Sequence, residues 1–251
     1  MAGLCIAAAQ SHSVPGDVAA NVARHCGFVD AAVNAGVRLL VFPELSLTGY
    51  DLPGLQKLAL AQDDERLAPI GERAVKDAIT VVVGAPLCNR DALPFIGAIA
   101  FHPDGRRTSY RKHFLHDGEA QFAAPGSAIS HVIDVRGVPV ALAICADTAN
   151  QQHPHAAVMA GATLYVAGSV ITADGYAKEA ALLSAYAKLF SLGILLANHA
   201  SDTGGHQCAG RSAIWMPDGR LLVAAPGAGE CLVIGDEDIG SVLPICIDSH
   251  H

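Results

Sequence analysis

Three strand-like runs in this sequence each end in a side chain that can move a proton or attack carbon. Val37-Arg-Leu-Leu-Val-Phe42 runs into Pro43-Glu44, residues 107–111 run into Lys112, and Val138-Pro-Val-Ala-Leu-Ala-Ile144 runs into Cys145. A cysteine attacks as its thiolate, a nearby ammonium favours that charge state, and a carboxylate can take the thiol proton. The same ammonium, with a backbone N–H, could hold an oxyanion. Together the trio suits acyl transfer. Taken singly, Glu44 and Lys112 read equally well as solvated strand ends and Cys145 as a core thiol; only convergence in space separates the two readings.

The elements that must position them alternate in type. Residues 4–9 form a short apolar run, and residues 16–36 a helical stretch with Val18, Val22, Cys26, Val29 and Val33 on one face. A buried strand is expected over 37–42, a second helix within 63–78, and a strand over 79–85. Strands over 95–101 and 106–111 are joined by Pro103-Asp104-Gly105, where proline presets the turn and glycine accepts the left-handed position. Two more strands, 130–135 and 138–144, flank Gly137. The remainder reads as helix (154–161), strand (163–167), helix (175–192), strand (194–198), hairpin (211–225, about Pro217-Asp218-Gly219) and a last strand (231–236). This alternation predicts a layered α/β protein. Ligands of open α/β sheets collect beyond the carboxyl ends of strands, which is where the three reactive residues fall. With no linker, residues 1–251 read as a single domain. Ala98-Ile-Ala-Phe-His-Pro-Asp-Gly-Arg106 echoes Ser212-Ala-Ile-Trp-Met-Pro-Asp-Gly-Arg220. The echo is either a common hairpin turn or the trace of two related halves facing each other across a shared core.

Composition narrows the function class. Of 251 residues 51% are hydrophobic and 5% aromatic, so the core is built from small side chains. Charged residues are 16%, against roughly a quarter in an ordinary soluble domain, which excludes a disordered chain. The net charge of −8 without a Lys/Arg cluster speaks against nucleic-acid or anionic-membrane partners. No apolar run approaches the roughly 18 residues that span a bilayer, and the Met1 start has no basic region before its apolar stretch, so neither a spanning helix nor a signal peptide is expected. Seven scattered cysteines without a Cys-x-x-Cys pair predict free thiols in a reducing cytoplasm, not a disulfide framework or zinc site. His113/His116, His153/His155 and His206 near Cys208 invite a metal reading, but no third ligand set stands at a recognised spacing, and no metal is expected. The pair His250-His251 reads as an appended tail. No Gly-x-Gly-x-x-Gly or phosphate loop is present, so no nucleotide cofactor is implied.

Phe42-Pro-Glu-Leu-Ser-Leu-Thr-Gly-Tyr50, Tyr110-Arg-Lys112 leading into Gly118-Glu119-Ala-Gln-Phe122, and Ile144-Cys-Ala-Asp147 resemble the three signature segments of the nitrilase superfamily of carbon–nitrogen hydrolases. Ala8-Ala-Gln10, Gly16-Asp17, Asn21 and the late Gly210-Arg-Ser-Ala-Ile-Trp-Met-Pro-Asp-Gly219 extend the resemblance over nearly the whole chain. It implies a four-layer αββα sandwich, an amidase-like activity on a small amide with water as co-substrate and no cofactor, and a homodimer or higher assembly through helical faces. Carried over by position, Glu44 is the general base, Cys145 the nucleophile that forms an acyl-thioester, and Lys112 the oxyanion holder, helped by the Ala146 amide. Glu119 matches the second acidic residue, which orients the substrate amide and supports the lysine. Tyr50, Asp147, Asn150 and Gln151 are expected polar contacts, and His199 lines the pocket.

Departures bear on the substrate. Ala146 stands where an aromatic residue is common, Asn150-Gln-Gln-His153-Pro154 replaces a Pro-Glu pair, and Tyr186-Ala-Lys-Leu-Phe190 replaces an Arg-Ala-x-Glu-Asn pattern. Nitrilases proper tend to carry Trp-Glu after the cysteine, so Ala146-Asp147 points to amides or carbamoyl compounds instead of nitriles. Two rivals remain: a Cys-His-Asp hydrolase using Cys145, His199 and Asp202, and a catalytically silent small-amide binding protein.

Overall fold

A computed structural model describes residues 3–90 and 92–245; Cys246 and the His250-His251 pair lie outside the described residues. In chain order the strands are β1 (Ile6–Gln10), β2 (Leu39–Val41), β3 (Thr80–Leu87), β4 (Phe95–Phe101), β5 (Arg107–Arg111), β6 (His131–Val135), β7 (Val138–Ile144), β8 (Leu164–Ser169), β9 (Gly193–Asn198), β10 (Ala213–Trp215), β11 (Leu221–Ala224), β12 (Cys231–Asp236) and β13 (Ile239–Pro244). The helices are α1 (Val18–Asn34), α2 (Leu55–Leu58), α3 (Ala68–Lys76), α4 (Gln152–Met159) and α5 (Tyr176–Phe190). One sheet has the order β13-β12-β1-β2-β3-β4-β5 and the other β11-β10-β9-β8-β7-β6.

Strand alternation explains the layering. Successive side chains on a strand point to opposite faces. In β1, Ile6 and Ala8 face the other sheet, while Ala7 and Ala9 face a helix layer. The inter-sheet core joins Leu39, Val41 and Val82 to Leu142, Ile144, Val166 and Leu195. Outside the first sheet, Val22, Cys26 and Val29 of α1 and Ile70 and Ala74 of α3 cover Leu40, Val81 and Val83. Outside the second, Ala157 of α4 and Leu183, Tyr186 and Ala187 of α5 cover Ala141, Ala143, Tyr165 and Leu196. Both faces of the central strands of both sheets are therefore covered, and the small residues counted in the sequence are what let four layers pack closely. The result is the αββα sandwich.

The internal echo has a topological basis. From β1 to β5 neighbouring strands pair parallel, parallel, antiparallel, antiparallel. From β7 to β11 the same series recurs. An antiparallel strand flanks each series, β12 beside β1 and β6 beside β7. The two Pro-Asp-Gly turns thus occupy equivalent hairpins, β4–β5 and β10–β11, of two related halves.

Candidate active site

Glu44, Lys112 and Cys145 meet at the carboxyl ends of their strands, as the spacing predicts. After β2 the chain keeps one more ladder bond, Phe42 N to Val82 O at 2.8 Å, then turns between the sheets. This turn fits only because both neighbours lack a side chain. A Cβ on Gly84 would lie 2.3 Å from Pro43 O, and one on Gly168 would lie 2.6 Å from Phe42 O. Leu45, next to the acid, is held in the left-handed region at φ 52°. Lys112 extends β5 by one rung: its N–H donates to Ile96 O at 2.8 Å and its carbonyl accepts from Gly126 N at 2.7 Å. Cys145 opens a single 3-10 turn, Cys145–Asp147, directly after β7. Its φ of 43° is costly for a residue with a Cβ, of the order of 1–3 kcal/mol. Such strain at the one residue that must expose its sulfur marks the turn as built for presentation.

The side chains form a buried charge cluster. Lys112 Nζ donates to Glu44 Oε1 at 2.8 Å and to Glu119 Oε1 at 2.7 Å. All three side chains are essentially inaccessible, while Cys145 keeps 8% exposure. Glu119 is further held by the Tyr50 hydroxyl at 2.6 Å and, through Oε2, by the His116 N–H at 2.8 Å. Among the described residues, Glu44 Oε2 has no hydrogen-bond partner.

Two acids on one lysine leave the cluster with one negative charge too many for a dry site, and the environment decides which acid yields. Burial pushes Glu44 up to about 7, against the opposing pull of Lys112. Glu119 is buried too, yet Lys112, Tyr50 and the His116 amide hold it below the usual carboxylate range. Two carboxylates with separated affinities for protons have separate roles. Burial alone would discharge Lys112, but Glu44, Cys145 and Glu119 outweigh it and keep the ammonium charged. The Cys145 thiol is pushed well up by burial and by Glu44, so it rests protonated. A neutral nucleophile beside an unpartnered carboxylate oxygen and a fixed cation can attack a carbonyl as it gives up its proton.

The remaining expected residues divide. Tyr50 is at the site but grips Glu119, and its ring lines a cleft with Leu52, Pro53, Phe122, Thr203 and His206. Ala146 is buried in the nucleophile turn, where its N–H stands in the first turn of a helix and lacks an intrahelical acceptor. Asp147 is used up by structure: Oδ1 accepts from His113 N at 3.1 Å and Phe114 N at 2.9 Å, and Oδ2 from Ile144 N at 3.0 Å and the Tyr110 hydroxyl at 2.8 Å. It positions the turn and leaves no lone pair aimed at a substrate. Asn150 is likewise occupied at the surface, its Oδ1 accepting from Gln152 N at 3.1 Å at the start of α4. Gln151 is exposed beside it.

His199 is fully buried, and its Nε2 lies 2.7 Å from the backbone carbonyl of Glu44. Among the described residues its Nδ1 has no partner, and Asp202 is exposed, so no His199–Asp202 pair forms and the Cys-His-Asp rival lacks its geometry. No three or more His, Cys, Asp or Glu side chains converge as for a metal among the described residues. The histidines weighed as ligands do other work. His153, buried in α4, bridges the hydroxyls of Tyr110 and Tyr165 at 2.8 Å each. His116 Nε2 lies 3.3 Å from Cys145 Sγ, a contact the sequence reading did not foresee. The only sequence signal for it was its place between Lys112 and Glu119.

Residues 5–244 match the family model described as carbon-nitrogen hydrolase. Among solved structures, the chain is similar to an amidase from Nesterenkonia sp. AN1, in a mutant carrying acrylamide added to the active-site cysteine. The identity is 24% over 93% of this chain and 92% of that chain, with a TM-score of 0.85. A mutant of the same amidase in complex with butyramide gives 23%, 96%, 91% and 0.86. Among curated proteins it is similar to the glutamine-dependent NAD(+) synthetase of Mycobacterium tuberculosis H37Rv, 30% identical over 86% of this chain. The chain spans about a third, 36%, of that relative's length.

Proposed function

Since the chain belongs to the carbon–nitrogen hydrolase family, we propose that it hydrolyses a small amide through an acyl-thioester on Cys145. The observation that carries this reading is Lys112 Nζ held between Glu44 and Glu119 beneath a strained, nearly buried cysteine. Glu44 Oε2 takes the thiol proton as Sγ bonds to the amide carbon, and the C=O electron pair moves onto oxygen. Lys112 and the Ala146 N–H receive that oxyanion. When the C–N bond breaks, the proton on Glu44 passes to nitrogen and ammonia or an amine leaves. Glu44, again a carboxylate, then deprotonates water; the hydroxide attacks the thioester, the C–S bond breaks, and sulfur recovers its proton.

Glu119 is the fixed anion of the site. Held by Lys112, Tyr50 and the His116 amide, it keeps Lys112 in place whatever the proton does on Glu44. The cleft beside Tyr50 offers an acyl group both apolar surface, from Leu52, Pro53 and Phe122, and polar surface, from Asp51, Thr203 and His206. The likeness to glutamine-dependent NAD(+) synthetases favours a second reading, in which the amide is that of glutamine and the ammonia serves a synthetase.

Replacing Cys145 by alanine should abolish ammonia release from butyramide and from glutamine. Unchanged release would end the assignment, and the ratio of the two wild-type rates separates the short-amide from the glutamine reading. We further propose a cytoplasmic homo-oligomer as the working form. No helix among the described residues is long and apolar enough to cross a membrane.

A further inference from the structure

His116 touches the reacting sulfur, yet the Glu44-Lys112-Cys145 chemistry makes no use of it. Its Nε2 lies 3.3 Å from Cys145 Sγ, within reach of a hydrogen bond to sulfur. Its position is fixed from behind: its N–H donates to Glu119 Oε2 at 2.8 Å and its carbonyl accepts from Glu119 N at 3.1 Å. The same carboxylate that clamps Lys112 thus clamps the backbone of His116. The residue as a whole is exposed, while its contact with the sulfur is partly buried.

The charged and titratable groups around the ring decide its form. Burial and the Lys112 ammonium pull the imidazole below its ordinary value, with His206 acting the same way, while Glu119 and Asp117 resist. A second cation beside Lys112 is disfavoured, so the ring is neutral at neutral pH and makes a poor final home for the thiol proton. Glu44 Oε2, unpartnered and pushed up by burial, is the better acceptor. A neutral imidazole can instead keep its hydrogen on Nε2 and point it at sulfur.

We propose that His116 is a further catalytic residue, a neutral donor whose Nε2–H stabilises the Cys145 thiolate that Glu44 generates. The S–H electron pair stays on sulfur, the proton goes to Glu44 Oε2, and the Nε2–H bond is not broken. As the C–S bond forms, the negative charge leaves sulfur for the carbonyl oxygen at Lys112. When the thioester is cleaved, the returning thiolate meets the same donor.

This inference rests on Cys145 being the nucleophile, and its test reads the thiol apart from any amide. Alkylation of Cys145 by 2-iodoethanol, which carries no amide, followed by intact mass from pH 5 to 9, is compared for wild type, His116→Phe and His116→Gln, with Cys145→Ala marking reaction at other cysteines. Loss of one hydrogen bond to a charged group predicts about a tenfold slowing at pH 7 for His116→Phe, with the pH profile moved upward. His116→Gln, which offers an amide N–H, should keep most of the wild-type rate. Equal rates and profiles in His116→Phe and wild type, or faster alkylation in His116→Phe, would overturn the proposal. Equal slowing in both variants would assign the effect to ring bulk and overturn it too. Ammonia release from butyramide in the same preparations tells the two failures apart: turnover with unchanged alkylation sinks only the role of His116, whereas altered alkylation without turnover on any amide sinks only the hydrolase reading.

Discussion

Glu44 and Glu119 bind the same ammonium at nearly the same distance, 2.8 and 2.7 Å, yet only Glu119 has a full set of other donors. The carboxylate with the free oxygen is the one that burial lifts to about 7. A general base must be ionised to act, so protonating Glu44 removes activity. Below about pH 7, kcat/KM for amide hydrolysis should therefore fall toward tenfold per pH unit. Glu44→Gln should lose roughly 10²–10⁴ in rate at every pH, as expected for a general acid–base group. A wild-type profile flat from pH 5 to 8 would assign proton transfer elsewhere. Glu44 was legible because strand end and motif order both select it, and Glu119 through motif order alone. Tyr50, Asp147 and His199 were legible only as polar groups near the site. Their partners, namely Glu119, the turn amides and the Glu44 carbonyl, depend on how the two sheets face each other, and no local pattern records that. His116 was legible only as a candidate metal ligand beside His113, and its contact with the sulfur was not, for a related reason: in a loop, neither the 2.0 nor the 3.6 periodicity says where a side chain points.

Two elements from different sheets must be held in register for the site to exist, and Asp147 is the joint. Its carboxylate collects the N–H groups of His113 and Phe114, just past β5, together with Ile144 N at the end of β7 and the Tyr110 hydroxyl. Lys112 and Cys145 are thereby fastened through one side chain. Asp147→Asn would turn an NH2 group toward donors it cannot accept, in a fully buried place. A loss of roughly 2–4 kcal/mol in urea unfolding is expected, with kcat reduced because the lysine and the sulfur are no longer held together. Stability within about 0.5 kcal/mol of wild type would mean that the joint is dispensable. At this scale the sequence was most informative where periodicity was strong. Residues 16–36 became α1 (Val18–Asn34), and 138–144 became β7 (Val138–Ile144). It was silent on α2 (Leu55–Leu58), one turn long, and on β13 (Ile239–Pro244), an edge strand mostly exposed on both faces and so without apolar alternation. The helix expected within 63–78 is α3 (Ala68–Lys76), preceded by a 3-10 turn, Glu65–Leu67, that the sequence pattern did not separate, with Pro69 in the first turn of α3 where its missing N–H costs nothing.

Of the imidazoles buried in the packed layers, His25 and His199 weigh most on the whole molecule's tolerance of acid, with burial lowering His153 in the same sense. His25 lies in α1, stacked on Phe42, with Nδ1 at 2.6 Å from Asn21 O and Nε2 at 2.9 Å from Ser46 Oγ. Burial lowers it to about 3, and burial lowers His199 to about 4. An unfolded histidine takes a proton near pH 6.5. Between that pH and the folded values the unfolded chain binds more protons, so stability present above pH 6.5 drains away as pH falls. Each unit of separation is worth roughly 1.4 kcal/mol, so the pair sets several kcal/mol against acid, a large share of the about 5–15 kcal/mol typical of a folded domain. Glu44 acts in the opposite sense. Its folded value of about 7 lies above the unfolded one near 4.3, so the native state binds the extra proton in that window and gains stability on acidification. The histidines span the wider interval, and they win. The thermal midpoint, followed by circular dichroism, should fall by on the order of 10 °C or more from pH 7 to pH 4. His25→Gln should make the fall shallower, even with a lower midpoint at pH 8, and Glu44→Gln should make it steeper by removing the group that opposes it. A midpoint independent of pH, or the same slope in all three proteins, would show that these buried groups do not govern acid stability.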